Sequence, residues 1–202
     1  MASDIWYSIR ENRIRQGCLK GFSCDENGTL TYDEKATDCS LFLKALDGVD
    51  EASNWGRLTC DLSLSDETVC YFYVAATEST DLDEELSDPE VRTGSKIELL
   101  KKIGAKRFVN TSDILLYQLK GRFLYFAVEM MGSGEASIRN LRIGARGDSF
   151  MNAFPQVYQE RGSFFHRYLS VFSSIYNDTS DQNEKLYEML DLDKCSPDLL
   201  IM

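Results

Sequence analysis

The sequence contains a single histidine, His166, and none of its six cysteines forms a Cys-x-x-Cys pair. Structural zinc sites need four clustered ligands, commonly in such short pairs, so we expect no zinc. A disulfide framework requires a secretory context, and the N-terminal MASDIWYSIRENRIRQG lacks the apolar core of a signal peptide. We therefore expect a chain made in the cytoplasm with reduced thiols, in which Cys60 and Cys70 are small buried residues of strands.

Motifs typical of enzymes are also missing. The chain has no Gly-x-x-x-x-Gly-Lys phosphate loop and no Gly-x-Ser-x-Gly elbow. No local arrangement singles out two of the 33 acidic residues as an acid/base pair. Asp25, Asp33, Asp47 and Asp50 fall in predicted loops, but their spacing matches no calcium-loop template. We expect no enzymatic activity and no cofactor, and a hydrolase ranks last among the hypotheses.

Charge is distributed unevenly along the chain. The formal net charge is -11, which disfavours binding to the nucleic-acid backbone. Residues 76–90 hold seven acidic groups and no basic one, whereas residues 91–176 hold 13 basic and six acidic groups. We interpret 76–90 as a solvated loop, with contact to a basic partner as the alternative. No run approaches about 18 apolar residues, so we expect no membrane span.

The first two-thirds of the chain have the pattern of an antiparallel β-sandwich. Asn27-Gly28 is a tight-turn signal between strand-like flanks, and Leu58, Cys60, Leu62 and Leu64 alternate with polar residues. Residues 1–146 are therefore predicted to form a lectin-like sandwich whose last strand has a basic face. An insertion, 76–107, combines the acidic loop with a short amphipathic helix that begins at Ser95 as N-cap and ends at Gly104.

Residues 147–202 are predicted to be a connector followed by a helical segment, which makes the fold class α+β. Apolar side chains recur there at helical spacing. The proposed packing face consists of Phe164, Phe165, Tyr168, Leu169, Phe172, Ile175 and Tyr176. A short helical segment cannot bury such a stripe within itself. Two alternatives stay open: this face binds a partner protein, in the helix-packing mode, or it packs on the chain's own sandwich.

Three segments in order carry a family resemblance: NWGRL (54–58), DILLYQLKGRFLYFAVEMMGSGEASIRNLRI (113–143), and DSFMNAFPQVYQE (148–160) followed by FFHRYLSVF (164–172). Together they resemble the phage-tail-type, baseplate wedge proteins of contractile injection systems. In that family a GRYLW-like strand and a Gly-rich turn precede an Arg-bearing strand, a YLPAVYQED connector and a helix patterned FLxRFLxIFE. The chain departs at Phe154, where the family usually has Leu, and in its longer insertion.

The resemblance implies a structural subunit of a contractile tail baseplate, in a phage, an R-type bacteriocin (tailocin) or an extracellular injection particle. Such a subunit assembles with other wedge proteins, and with hub or sheath-proximal components, into a multi-copy hetero-oligomer that links target contact to sheath contraction. It would be cytoplasmic during assembly and part of the particle afterwards. Family members usually continue past the position of Ser196-Pro197, so this chain is expected to be a short or truncated member.

The rival hypothesis is a carbohydrate-binding β-sandwich module. It uses Trp55 as a stacking platform for a sugar, together with nearby loop residues. The competing interpretation of Trp55 is a core residue beside a turn.

Overall fold

Strands dominate the part of the chain that the structure, a computed structural model, describes. The described residues are 5–33, 35–36, 38–48, 55–116 and 118–145, with the single residues Phe172 and Thr179. The chain divides into two compact units, Met1–Arg146 and Gly147–Met202. Most of the second unit lies outside the described residues, so the assignment of 147–202 as a connector and helical segment stays a prediction.

Every described strand pairs with its neighbours in antiparallel fashion. The strands are β1 (Ile5–Ser8), β2 (Cys18–Lys20), β3 (Phe22–Cys24), β4 (Leu30–Tyr32), β5 (Cys39–Phe42), β6 (Leu46–Asp47), β7 (Trp55–Leu64), β8 (Thr68–Thr77), β9 (Lys106–Val109), β10 (Asp113–Leu115), β11 (Phe123–Gly132) and β12 (Ala136–Ala145). The helices are α1 (Glu11–Ile14), α2 (Asp83–Ser87) and α3 (Thr93–Lys102).

The strands form two sheets. The first sheet has the order β10-β7-β12-β4-β3, with β1 also paired to β12. The second sheet has the order β2-β5-β11-β8-β9, with β6 also paired to β11. Leu58 and Ile138 of the first sheet and Phe72 and Phe126 of the second belong to one hydrophobic core. The prediction of an antiparallel, sandwich-like fold is therefore confirmed.

The two sheets share one long antiparallel ribbon that is bent in half. Residues 55–64 pair with 136–145 in the first sheet, and residues 68–77 pair with 123–132 in the second. The bend lies where two connections, residues 65–67 and 133–135, run side by side. We call this pair of connections the corner. Each half of the ribbon lies at the centre of its own sheet, so the corner brings the two sheets face to face.

At the corner, side chains in and next to one connection hydrogen-bond to the backbone of the other connection. The hydroxyls of Ser65 and Thr68 donate to the Ser133 carbonyl oxygen at 2.7 and 2.8 Å. The Ser65 N–H donates to the Glu135 carbonyl oxygen at 3.1 Å. Gly132 adopts a φ of 131°, and a Cβ there would collide with the carbonyl oxygen of Glu67. The glycine is therefore required both by conformation and by close approach.

The pattern of apolar residues along a strand depends on whether one or both faces of its sheet are covered by other parts of the protein. In β7 the predicted alternation is confirmed, because Leu58 and Cys60 are buried while Asp61 and Ser63 are exposed. In β11 the residues from Leu124 to Val128 are buried without interruption. A strand buried on both faces shows a continuous apolar run. The first sheet therefore has one solvent-facing side, and the second sheet is covered on both.

The insertion covers the outer side of the second sheet. Ile97 and Leu100 of α3 and Leu86 of α2 pack with Phe42 and Tyr125 of the sheet in a second, smaller core. Residues 76–90, predicted to be a solvated loop, instead contain α2, whose Leu86 is only 2% exposed.

The predicted cap of α3 needs a correction at its start. The helix begins at Thr93 after Arg92, so Ser95 lies inside the helix and is not its N-cap. The hydroxyl of Thr93 is already engaged, because it donates to the Asp38 carboxylate at 2.6 Å and lies 3.0 Å from the Ser40 hydroxyl. The predicted end is close to the observed one, since the helix stops at Lys102 and Gly104 follows with a φ of 84°.

Lys96 ties the two inserted helices together. Its side chain is fully buried, its ammonium donates to the Leu86 carbonyl oxygen at 2.7 Å, and its Nζ lies 5.2 Å from the centroid of the Phe42 ring. The Leu86 carbonyl is at the C-terminal end of α2, where carbonyl groups lack intrahelical partners and the helix dipole is negative. A cation is therefore stabilised there although it is buried.

The buried thiols titrate outside their usual range. Burial raises the pKa of Cys60 to about 12 from 9.0, and burial likewise raises the pKa of Cys70. Both residues lie in the core, on β7 and β8, which confirms their interpretation as small buried residues. Among the residues described, Cys18, Cys24, Cys39, Cys60 and Cys70 are all free thiols.

A matched pair of glycine substitutions tests the corner. Gly132→Ala is expected to lower the free energy of unfolding by about 2 kcal/mol or more, because of its positive φ and the collision with Glu67. Gly94→Ala lies in α3 with no atom near the added methyl group, so it is expected to raise stability by up to about 1 kcal/mol. Urea unfolding measures both, and equal effects would contradict this account.

The thiol pKa values predict an alkaline loss of stability. A Cys60 thiol of the unfolded chain loses its proton near pH 9, whereas the folded chain keeps it until about pH 12. The unfolded state therefore binds fewer protons between these values, and stability falls as the pH rises through this window. Cys60→Ala should make that decline shallower by at most about 1.4 kcal/mol per pH unit, as measured by urea unfolding at several pH values. An unchanged slope would exclude this role for Cys60.

Candidate interaction surfaces

The predicted partner-binding face lies almost wholly outside the described residues. Phe164, Phe165, Tyr168, Leu169, Ile175 and Tyr176 are in the part of the chain that the structure does not describe. Phe172 is described: it is helical and 44% exposed. The assignment of these seven residues to a common face stays a prediction.

Trp55 is a core residue. Its side chain is fully buried, and its indole N–H donates to the Gly121 carbonyl oxygen at 2.8 Å. Its ring centroid lies 6.1 Å from that of Tyr7, at a tilted angle. A buried ring cannot stack on a sugar, so the carbohydrate hypothesis loses the residue on which it was based. The competing interpretation of Trp55, as core beside a turn, agrees with the structure.

The aspartates considered for calcium have local roles instead. Asp47 forms a bidentate pair with the Arg122 guanidinium, with both N–O distances at 2.9 Å. The Asp25 carboxylate accepts the Thr29 backbone N–H at 2.7 Å, and this bond holds the pKa of Asp25 below its usual value. Asp50 is outside the described residues. Within the residues described, no group of three or more His, Cys, Asp or Glu side chains is placed to hold a metal ion.

The solvent-facing side of the first sheet has a row of small hydroxyls. Ser23 of β3 pairs with Thr31 of β4, Thr31 pairs with Ser137 of β12, and Ser137 pairs with Ser63 of β7. Their neighbours Leu30 and Ile138 are buried, so alternation turns the hydroxyls outward. Neighbouring strands are about 4.8 Å apart, and the hydroxyls are therefore regularly spaced across four strands.

Three of these hydroxyls form the floor of an open groove of about 800 Å³. The β3–β4 turn contributes Asp25 and Thr29, the segment after β4 contributes Asp33 and Lys35, and the floor consists of Thr31, Ser63 and Ser137. Glu135, just before β12, and Arg139 of β12 lie on either side of Ser137 along the chain. Together with Tyr32 and Ala136 they complete the lining. The predicted basic face of the last strand is confirmed in part, since Arg139 and Arg142 are both exposed.

Sequence reasoning did not find this groove. Its residues come from three stretches of the chain, 25–35, 63 and 135–139, and only strand register brings these stretches together. The available signal was the polar half of each alternating strand, because the polar positions mark the residues that face outward.

Large exposed apolar side chains are few in the described part of the first unit. Val109 is 44%, Leu115 37% and Met131 53% exposed. Among the described residues, no helix is both long enough and apolar enough to cross a membrane.

Two substitutions test the role of Trp55. Trp55→Ala should cost about 3–5 kcal/mol of stability because it empties a large core position. Trp55→Phe should cost about 1–3 kcal/mol because it leaves the Gly121 carbonyl without its donor. Trp6, the other tryptophan, is only half-buried, so Trp6→Phe is the control and should cost less. A Trp55→Phe protein as stable as the unmodified chain would contradict this assignment.

No protein-family model and no curated protein matches this chain. Among solved structures, it is similar to a chain of the glycosylation-associated protein (Gap123) complex from Streptococcus agalactiae, with a TM-score of 0.35 and 9% sequence identity. The match covers 71% of this chain and 26% of that chain, so this chain spans about a quarter of the length of that protein. A likeness at this level assigns neither a family nor a function.

Proposed function

We propose that this chain is a structural subunit of the baseplate of a contractile tail or injection particle, and that it is neither an enzyme nor dependent on a cofactor. The observation that carries the proposal is the ordered series of motifs that resemble baseplate wedge proteins. In the described part of the chain these motifs are contiguous in space as well as in sequence order. Residues 55–58 of the first motif open β7, which pairs with β12 at the end of the long motif.

The long motif coincides with the part of the fold that determines its architecture. It spans β10, β11, the 133–135 connection of the corner and most of β12, so it includes Gly132 and Ser133, whose conformation and hydrogen bonds contribute to the bend. A chain that shares this motif contains residues that can form the same bent ribbon. This supports a scaffold in common with the family, with assembly carried by the surfaces around it.

The acidic insertion offers one such surface. Glu78, Asp81, Glu84, Glu85, Asp88 and Glu90 are exposed, and α2 is anchored below them by Leu86. The Asp83 carboxylate accepts the Ala45 backbone N–H at 2.8 Å, which fixes the start of α2 on the sheet. Charges held on a folded element lose less conformational freedom on binding than charges on a solvated loop. In the proposal, this surface contacts a basic neighbour in the wedge.

The helical segment of the second unit is the other proposed assembly element. Its face from Phe164 to Tyr176 contacts the other wedge proteins, and hub or sheath-proximal components contact the same multi-copy complex. The subunit is cytoplasmic during assembly and becomes part of a phage tail, bacteriocin or injection particle. We also propose that the sandwich of residues 1–146 is lectin-like, as the sequence predicts.

Co-expression of the full chain with the other wedge proteins of its own gene cluster tests the assignment. We expect a stable hetero-complex on size exclusion. Phe172→Glu should reduce recovery of the complex at least tenfold, since it places a charge in an apolar helix interface. Met131→Glu, at an exposed apolar residue of the first unit, is the matched control and should leave recovery unchanged. A lone soluble monomer in every combination would exclude the proposed function.

A further inference from the structure

The groove on the solvent-facing side of the first sheet has the size and the polarity of a small-ligand site. Its volume of about 800 Å³ falls within the range of about 300–1,000 Å³ that is usual for such sites. The floor is neutral, since Thr31, Ser63 and Ser137 contribute hydroxyls, each of which both donates and accepts hydrogen bonds. A ligand that lies on this floor therefore needs polar groups along its whole length.

Both ends of the groove combine an acidic with a basic side chain. The register of β4 and β12, with Ile138 opposite Leu30, places Arg139 toward the β3–β4 turn with Asp25. The same register places Glu135 at the other end, toward Asp33 and Lys35. Carboxylates only accept hydrogen bonds and Lys and Arg only donate them, so each end offers both kinds of partner within one short stretch.

Two of the carboxylates are held in position before any ligand arrives. Asp25 accepts the Thr29 N–H at 2.7 Å, and Asp33 accepts the Lys35 backbone N–H at 3.0 Å. Each carboxylate keeps lone pairs for a ligand, because it has about four acceptor positions in all. Groups that are fixed in advance bind with a smaller loss of conformational entropy.

The charges exclude several ligand classes. The groove is lined by three carboxylates and two cationic side chains. The excess of negative charge disfavours polyanions, and the two cationic side chains disfavour a metal ion. Ala136 and Tyr32 are the two lining residues without a charge or an aliphatic hydroxyl. The Tyr32 hydroxyl donates to the Gly132 carbonyl oxygen at 2.6 Å, and its ring lies 6.5 Å from that of Phe22. A neutral molecule with many hydroxyls satisfies donors and acceptors at both ends and on the floor.

The geometry points to a binding site for a neutral saccharide in this groove. The site is separate from Trp55, where the sequence-based carbohydrate hypothesis placed the sugar, and it does not rest on the proposed baseplate function. Because Tyr32 is engaged elsewhere, the site recognises sugar hydroxyls by hydrogen bonds rather than by aromatic stacking. It is therefore a weak site for a single sugar, and it favours an oligosaccharide long enough to reach both ends of the groove.

Saturation-transfer difference NMR on the full chain tests the inference, with a panel of neutral hexose and N-acetylhexosamine oligosaccharides as probes. We expect transfer to at least one neutral oligosaccharide. Ser137→Tyr fills the floor and should abolish the signal, and Arg139→Ala should weaken binding about tenfold without changing the floor. Ser8→Tyr is the matched control, because Ser8 is an exposed serine of β1 on the same sheet, and it should bind as the unmodified chain does.

Three results would overturn the inference. The first is that no neutral sugar of the panel shows saturation transfer. The second is that oligogalacturonate shows stronger transfer than every neutral sugar. The third is that binding survives both Ser137→Tyr and Arg139→Ala in protein shown to be folded by circular dichroism. Failure of wedge assembly in co-expression leaves this test unaffected, because the groove residues and the proposed helical face belong to different units.

Discussion

The hydrogen-bonded corner of the ribbon is the constraint on which the rest of the sandwich depends. One antiparallel ribbon supplies the central strand pair of each sheet, and the pairing reaches the corner from both sides, with Leu64 opposite Ala136 and Thr68 opposite Gly132. Had the corner not formed, the ribbon would extend as one flat pair with its apolar side in water. The hydroxyls of Ser65 and Thr68 donate to the Ser133 carbonyl oxygen, a backbone group that the bend removes from the ladder.

Bending the ribbon leaves two outer sheet surfaces, and the chain treats them differently. The outer surface of the second sheet is apolar and is covered by the insertion, at the cost of burying the Lys96 ammonium. That cost is offset by the Leu86 carbonyl and the Phe42 ring. The outer surface of the first sheet is built from Ser, Thr, Asp and Arg, and in the described residues no helix covers it. The distribution of charge along the sequence thus has a structural counterpart, because the acidic stretch between strands is part of a folded cover.

Local signals in the sequence predicted local structure well. Asn27-Gly28 forms the β3–β4 turn with a φ of 84° at Gly28, and the alternation around Leu58 and Cys60 is as expected. Helix α2 was missed because Asp83–Ser87 contains a single buried apolar residue, Leu86, which gives no helical period. The role of Trp55 was ambiguous because a Trp beside a turn has the same sequence signal whether it is buried or exposed. The groove was beyond local reasoning, since Ser63 and Ser137 are neighbours only through strand register.

The position of the family-like motifs also limits what the resemblance can explain. In the described part of the chain their residues are core, corner and strand residues, such as Trp55, Leu124, Gly132 and Ile143. Residues of this kind specify an architecture, and an architecture by itself does not specify a partner. What distinguishes one such sandwich from another must lie in the residues that the scaffold leaves exposed. In this chain those are the acidic cover of the second sheet and the hydroxyl-floored groove of the first. The groove and the acidic cover lie on opposite outer surfaces of the sandwich, so a substitution in the groove is expected to leave the acidic cover intact, and the two proposals can be tested independently.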